Sequence, residues 1–418
     1  MDDAHRAVDA VWRIESARVI AGLARMVRDV GLAEDLASDA LVAALETWPR
    51  TGVPDNPGAW LMTTARNRAI DVIRRNAKLT EKTELIARDM GMTMAAGSAP
   101  PFGDGIGDDM LALIFTCCHP LLGREARVAL TLRMLGGLKT EEIARAFLVP
   151  SRTIGQRISR AKKTLSVAKV PFDVPEGDEL DARLADVLEV VYLIFNEGYA
   201  ATQGEQWMRP ALVEDALRLG RVLAGLAPRQ AEVHGLVALM ELQASRMRAR
   251  RGADGRPVLL MDQDRARWDL LLIGRGLRAL DRAEALGGTL GPYTLQAAIA
   301  ACHARARTPE ATDWVRIAAL YDALSMVAPS PVVELNRAVA LGMAYGPEAG
   351  LELVEAIAAT GALAEYHLLP TVRGELLERL GRVDEARAAF AEAAAMTANE
   401  HEREILLARA GENEGTVP

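Results

Sequence analysis

The chain has 418 residues, 50% of them apolar and 25% charged, with a net charge of -8 and three cysteines. That length exceeds one ordinary core, so several domains are expected, and the composition excludes a disordered chain. The acidic start MDDAHRAVDA lacks a basic region followed by an apolar stretch, and no uncharged apolar run nears the roughly 20 residues of a membrane helix; a cytoplasmic protein with no membrane partner is expected.

Negative charge is unevenly spread. Residues 1–170 hold 24 Lys or Arg against 20 Asp or Glu, whereas 171–418 hold 25 against 37. The acidity belongs to the back of the chain, and the front is weakly basic, which removes the objection that net charge raises to a nucleic-acid partner.

Apolar residues recur at three- and four-residue spacing and no alternating pattern persists, so the expected fold class is all α. Leu36, Ala40, Ala44 and Trp48 mark one helix, from about Leu32 to Trp48. The prolines and glycines of PRTGVPDNPG interrupt it. Leu61, Ala65, Ala69 and Val72 mark a second helix ending near Arg75. Residues 88–109 are rich in Gly, Ala, Pro and Asp, so 1–80 is expected to form one module and 81–108 a flexible linker.

A second helical module is expected over 109–170. In it FTCCHP places Cys117, Cys118 and His119 side by side, but neighbours on a helix point apart and do not readily share one tetrahedral ion, so buried thiols are expected rather than a metal site. In LKTEEIARAFLVPSRTIGQRISRAKKTL, Thr140 reads as a helix cap with Glu141 and Glu142 in the first turn, where the helix dipole favours acids. LVPS breaks that helix and a new one starts at Ser151. Its stripe Ile154, Ile158, Ala161, Leu165 is apolar, and Arg152, Gln156, Ser159, Arg160 and Lys163 stand opposite. Residues 151–163 hold five cations, Arg157 and Lys162 included, and no acid. This is the pattern of a helix-turn-helix whose second helix enters the major groove, with Gln and Arg reading base edges and the other cations on phosphates. A solvated basic face on a plain hairpin is the weaker account, because turn, caps and charge agree.

PFDVPEGDEL ends this module, and 171–418 reads as a helical extension. In LPTVRGELLERLGRVDEARAAFAEAAA, Gly374, Ala386, Phe390 and Ala393 fall at small- and large-residue positions of a tetratricopeptide unit of about 34 residues, and the stretch from Trp314 to Ile357 follows it more loosely. In YLIFNEGY, Gly198 reads as a helix C-cap, and MDQDRARWD reads as an ion-paired helix start packed by Trp268.

VGLAEDLASDALVAALETW resembles the sigma-70 region 2 helix that docks on the RNA polymerase clamp, and NPGAWLMTTARNRAIDVIRR resembles the helix that recognises the promoter -10 element. With the region 4 resemblance of 109–167, this is the plan of the extracytoplasmic-function sigma factors. The extension resembles the branch with a tetratricopeptide-like C-terminal domain. The resemblance implies polymerase contacts at Asp35, Ser38, Asp39 and Glu46, and -10 contacts at Asp55, Asn56, Asn67, Arg68, Arg74 and Arg75. It implies -35 contacts at Arg152, Gln156, Arg157, Ser159, Arg160, Lys162 and Lys163. Relatives often carry a basic residue where Gly155 stands, which shifts base reading to Gln156 and Arg160. Trp60 is expected to anchor the core. The implied partners are the clamp and flap regions of core RNA polymerase, promoter DNA, and a protein or ligand on a regulatory extension. No cofactor, metal or catalytic residue is implied, and the protein is not expected to be an enzyme. A one-component regulator would need neither of the first two helices, and a repeat scaffold would leave the basic segments unexplained.

Overall fold

The computed structural model describes residues 3–89, 106–147, 149–199, 208–252, 258–397 and 400–411, which contain helices and loops but no strand. It divides into two compact units, Met1–Leu226 and Ala227–Pro418.

The first unit opens with α1 (Asp3–Val27), α2 (Val30–Thr51) and α3 (Pro57–Asp89). Asp29 starts α2: its carboxylate accepts the Leu32 N–H at 2.8 Å, filling one of the backbone donors that a helix start leaves open. Ala33, Ala37, Ala40 and Ala44 are all fully buried at three- and four-residue spacing, so small side chains let α1 and α3 approach closely. Trp48 closes the stripe at 2% exposure. The break expected in PRTGVPDNPG falls at Gly52 rather than at Pro49, which lies inside the last turn. Gly52 has φ 84, a conformation that costs glycine little, and its N–H reaches the Trp48 carbonyl. Asn56 then caps α3 by accepting the Ala59 N–H at 3.0 Å. α3 runs past the expected end at Arg75, because KLTEKTELIARD is built mostly of good helix formers. Most of the expected linker, 90–105, lies outside the described residues.

Four helices follow: α4 (Ile106–Cys117), α5 (Arg124–Met134), α6 (Thr140–Ala146) and α7 (Ser151–Val167). Thr140 is not the cap of α6. It is the first helical residue, and the Glu142 carboxylate reaches back to the Lys139 N–H at 2.8 Å. Phe115, Leu130 and Leu132 are buried to 1% or less, each contributing roughly 1.5–3 kcal/mol by leaving water. Cys117 and Cys118 are buried here, and Cys118 lies 3.5 Å from the Thr131 hydroxyl. Burial pushes the Cys118 thiol up to about 12.

Two further helices, α8 (Gly177–Tyr199) and α9 (Pro210–Leu226), belong to this first unit, although the sequence reading begins the extension at 171. A salt bridge and two hydrogen bonds to backbone explain the difference. Arg127 of α5 meets Asp186 of α8 at 2.6 Å, and Arg218 of α9 donates to the carbonyls of Leu135 and Gly136 at 3.1 and 3.3 Å, satisfying the end of α5. Gly198 is not a C-cap. It lies within α8, and a Cβ there would fall 2.7 Å from the Val213 nitrogen, so the missing side chain is what lets α9 lie close.

The second unit holds α10 (Ala231–Ala244), α11 (Leu270–Ala285), α12 (Pro292–Arg305), α13 (Trp314–Val327), α14 (Pro331–Ala344), α15 (Pro347–Thr360), α16 (Leu368–Arg379), α17 (Val383–Met396) and α18 (Glu400–Ala410). From α13 on, each packs mainly on its neighbours along the chain, while α10 packs on both α11 and α12, the pattern of a stacked array. Leu335, Val354, Leu377 and Phe390 share one core through α14 to α17. Arg265 of MDQDRARWD does not form an ion-paired helix start; it donates to the carbonyls of His303 and Ala306 and to the Thr312 hydroxyl.

Candidate nucleic-acid interface

Pro150 stands at the N-cap of α7, where its carbonyl accepts the Thr153 N–H at 2.8 Å. Proline there suits a helix start, since the first N–H groups have no partner within the helix. Ile154, Ile158, Ala161 and Leu165 are buried against α5 and α6. That orientation forces Arg152, Gln156, Ser159, Arg160 and Lys163 outward, and all five are exposed. A Cβ at Gly155 would meet nothing closer than the Thr140 methyl carbon at 3.9 Å, so there is room for a side chain there. The other two expected contacts are engaged elsewhere. Arg157 pairs with Glu125 at 2.5 Å, and Lys162 turns away from the exposed face toward α2.

On α3, Leu61, Ala65 and Ala69 are buried, which leaves Asn67, Arg74 and Arg75 in solvent. Asp55 is exposed, but the Asn56 side chain is occupied in capping α3. Arg68 lies 3.5 Å from Asp39 of α2, an exposed pair worth little in water. Trp60 is only half-buried; its ring meets Trp48 edge-on, with centroids 5.4 Å apart.

On α2, Asp35, Asp39 and Glu46 are exposed, while Ser38 is half-buried with its hydroxyl 3.4 Å from Glu34. Glu34 itself, which the sequence reading passed over, is 5% exposed. Arg133 of α5 donates to it from Nε at 2.9 Å and from Nη2 at 2.6 Å, and Lys162 of α7 donates to its other oxygen. Burial alone would raise this carboxyl, but the two cations outweigh it and hold the group below its ordinary value. An acid beside the alanine stripe was the available signal in the sequence. Its partners, about 100 and 130 residues away, were not legible.

Two family profiles fall on these surfaces: sigma-70 region 2 on residues 13–79 and sigma-70 region 4 on 112–165. The chain belongs to the sigma-70 family. Region 2 is α1 to α3, region 4 is α4 to α7, and the family is one of transcription-initiation factors that recognise promoters. A family of unknown function, DUF6596, matches residues 183–284, in place of any repeat family. An uncharacterized protein of Rhizobium meliloti is 43% identical over 92% of this sigma factor and 90% of its own length, so the likeness extends well beyond regions 2 and 4. A probable ECF RNA polymerase sigma factor, SigI of Mycobacterium tuberculosis, is 26% identical over 41% of the chain and 58% of its own length. No solved structure matches. Among the described residues no helix is long and apolar enough to cross a membrane, and no cluster of metal-ligating side chains forms.

Proposed function

We propose that this is an extracytoplasmic-function sigma factor that binds core RNA polymerase and directs initiation at promoters with -10 and -35 elements. The observation that carries this is the outward face of α7, where Arg152, Gln156, Ser159, Arg160 and Lys163 are exposed together in a segment without an acid. Such a face fits the major groove, with Gln156 and Arg160 on base edges and Arg152 and Lys163 on phosphates. Asn67, Arg74 and Arg75 of α3, with Asp55 in the loop before it, take the -10 element, and Arg68 joins them by leaving Asp39. Asp35, Asp39 and Glu46 of α2 meet basic groups of the polymerase clamp, and region 4 meets the flap. The printed name of the Mycobacterium tuberculosis relative supports the subfamily.

The second unit acts as a tetratricopeptide-like array that regulates activity by binding a protein or ligand. Gly374 supports that reading, since a Cβ there would fall 2.6 Å from the Phe390 ring, the small-against-large packing of such helix pairs. Run-off transcription with purified core polymerase and DNA from upstream of the protein's own operon tests the function. A discrete transcript that depends on this protein is expected, and its absence with active core polymerase overturns the reading.

A further inference from the structure

Charge within the second unit is polarised. Residues 245–282 hold ten arginines against five acids, whereas 283–418 hold ten against nineteen. The basic excess gathers on α11. Its Gly276, Leu280 and Ala283 are buried, where the helix packs on α10 and α12. Leu271, Arg275, Arg278 and Arg282, spaced four, three and four, fall opposite that buried face and are all exposed. Asp281 and Glu284 lie to one side of the stripe. Arg267, exposed just before the helix, donates to the Arg251 carbonyl at 3.2 Å, which holds another exposed arginine near the start of α11.

Among the described residues none of Arg275, Arg278 and Arg282 is in an ion pair, although acids outnumber arginines over 227–418. Arg282 reaches only the Pro228 carbonyl, at 3.4 Å. Elsewhere in the unit Arg337, Arg373 and Arg382 pair with Asp322, Glu355 and Glu385 at 2.6, 2.8 and 2.6 Å. Like charges three and four residues apart on a helix repel, and an anion laid along them relieves that repulsion.

We propose that this stripe is a second nucleic-acid surface, which takes the phosphate backbone of DNA without reading its sequence. The inference rests on the sigma-factor reading, which puts the protein on a promoter. From Arg275 to Arg282 is about 10 Å along a helix at about 1.5 Å per residue, the length of about three phosphates of one strand at about 3.4 Å each. Arginine suits that anion, because its planar fork donates to two phosphate oxygens at once. On α7 the cations stand with Gln156 and Ser159, whereas α11 has no amide or hydroxyl side chain to read a base edge, so its contribution is affinity. Because α7 and α11 belong to one chain, the second contact forms at a raised local concentration once the first is made. An acidic protein partner, the other anion of suitable shape, would leave DNA binding insensitive to these residues.

Binding of the full chain to a labelled duplex that carries the promoter with flanking DNA on both sides tests the stripe, followed by fluorescence anisotropy from low to physiological salt. R275Q/R278Q/R282Q should lower the slope of log affinity against log salt by about two to three, since each phosphate contact contributes about 0.9. The single variant R278Q should lower it by about one, and both losses should be the same on a scrambled duplex. R337Q/R373Q/R382Q removes as much charge from the same unit, but from paired arginines, and should leave the slope unchanged. An unchanged slope in R275Q/R278Q/R282Q overturns the stripe, as does an equal fall in R337Q/R373Q/R382Q, which would make the effect one of net charge. No binding by the wild type at low salt overturns it too. In each case a transcript that depends on the protein leaves the sigma-factor reading intact. If the wild type binds neither duplex and gives no transcript with active core polymerase, that reading falls and the stripe with it.

Discussion

Arg183, in the first turns of α8, donates from Nη2 to the Phe115 carbonyl at 2.9 Å while its guanidinium lies 5.6 Å over the Phe115 ring. Phe115 is buried in region 4, so α8 is fastened to that region through both the backbone and the face of one core residue. Arg183→Ala should therefore cost about 2–3 kcal/mol of stability, the size of a hydrogen bond to a charged group, measured by chemical denaturation. Arg183→Lys should recover only part of it, since an ammonium lacks the planar fork.

The same contacts fix where the chain can be cut. A fragment ending at Leu226 keeps α8 and α9, and should unfold in one cooperative transition. A fragment ending near residue 175 loses Arg183 and Arg218 and uncovers the carbonyls of Leu135 and Gly136 that follow α5. It should unfold earlier or aggregate, which differential scanning calorimetry of the two fragments would show. Equal midpoints would mean that α8 and α9 are ornaments on region 4.

Base reading and phosphate contact should separate along α7. Alanine at Gln156 or Arg160 should cost about 1–3 kcal/mol of promoter binding and relax preference at particular base pairs. Alanine at Arg152 or Lys163 should weaken all sequences alike and lower the salt slope by about one. Binding titrations against single-base variants at several salt concentrations distinguish the two. Equal loss of preference in both sets would place the wrong face in the groove.

Gly374→Ala should destabilise the second unit. Alanine gains about 1 kcal/mol over glycine inside a helix, but overpacking costs about 1–3 kcal/mol. Overpacking wins here because the new Cβ meets three Phe390 ring carbons at 2.6 to 3.0 Å and that ring is held under the Arg409 guanidinium, 4.1 Å from its centroid. A net loss of up to about 2 kcal/mol in thermal or denaturant unfolding is expected. A neutral result would show that Phe390 can move.

His303 should make the second unit sensitive to acid. Burial first, then Arg246 and Arg265, lower its imidazole to about 4. The unfolded chain takes up the proton near its ordinary value of about 6.5 and the folded chain does not, so the contribution is full above that pH and is lost as pH falls toward 4. At pH 5 the loss should be about 2 kcal/mol. His303→Gln should remove this part of the pH dependence, read as the change in wild-type minus variant stability between pH 7.5 and pH 5. An unchanged difference would mean that the imidazole is protonated in the folded state.

Much of the fold was legible because periodicity reports the face a helix buries. The stripe Ile154, Ile158, Ala161, Leu165 places the recognition face of α7 without any knowledge of what packs on it, and all four are buried. Local chemistry was read less well. Thr140 has the composition of a cap, yet the Lys139 position takes that place because Glu142 reaches back to its N–H. Gly198 looks like a helix end in the sequence, but its lack of a side chain serves the neighbouring α9.

By itself the sequence determined that the protein is helical, which residues of α7 and α3 face solvent, and where the charge changes sign along the chain. These depend on neighbours within a few residues. Only the tertiary structure decided that α8 and α9 complete the first unit and that Lys162 faces Glu34 instead of the DNA-reading surface. Glu34, Arg133 and Lys162 are single charged residues on three helices, about 30 to 130 positions apart, and each alone reads as a solvated side chain. Folding brings them together around one buried carboxylate, and an ion pair between distant segments leaves no periodic trace in the chain that forms it.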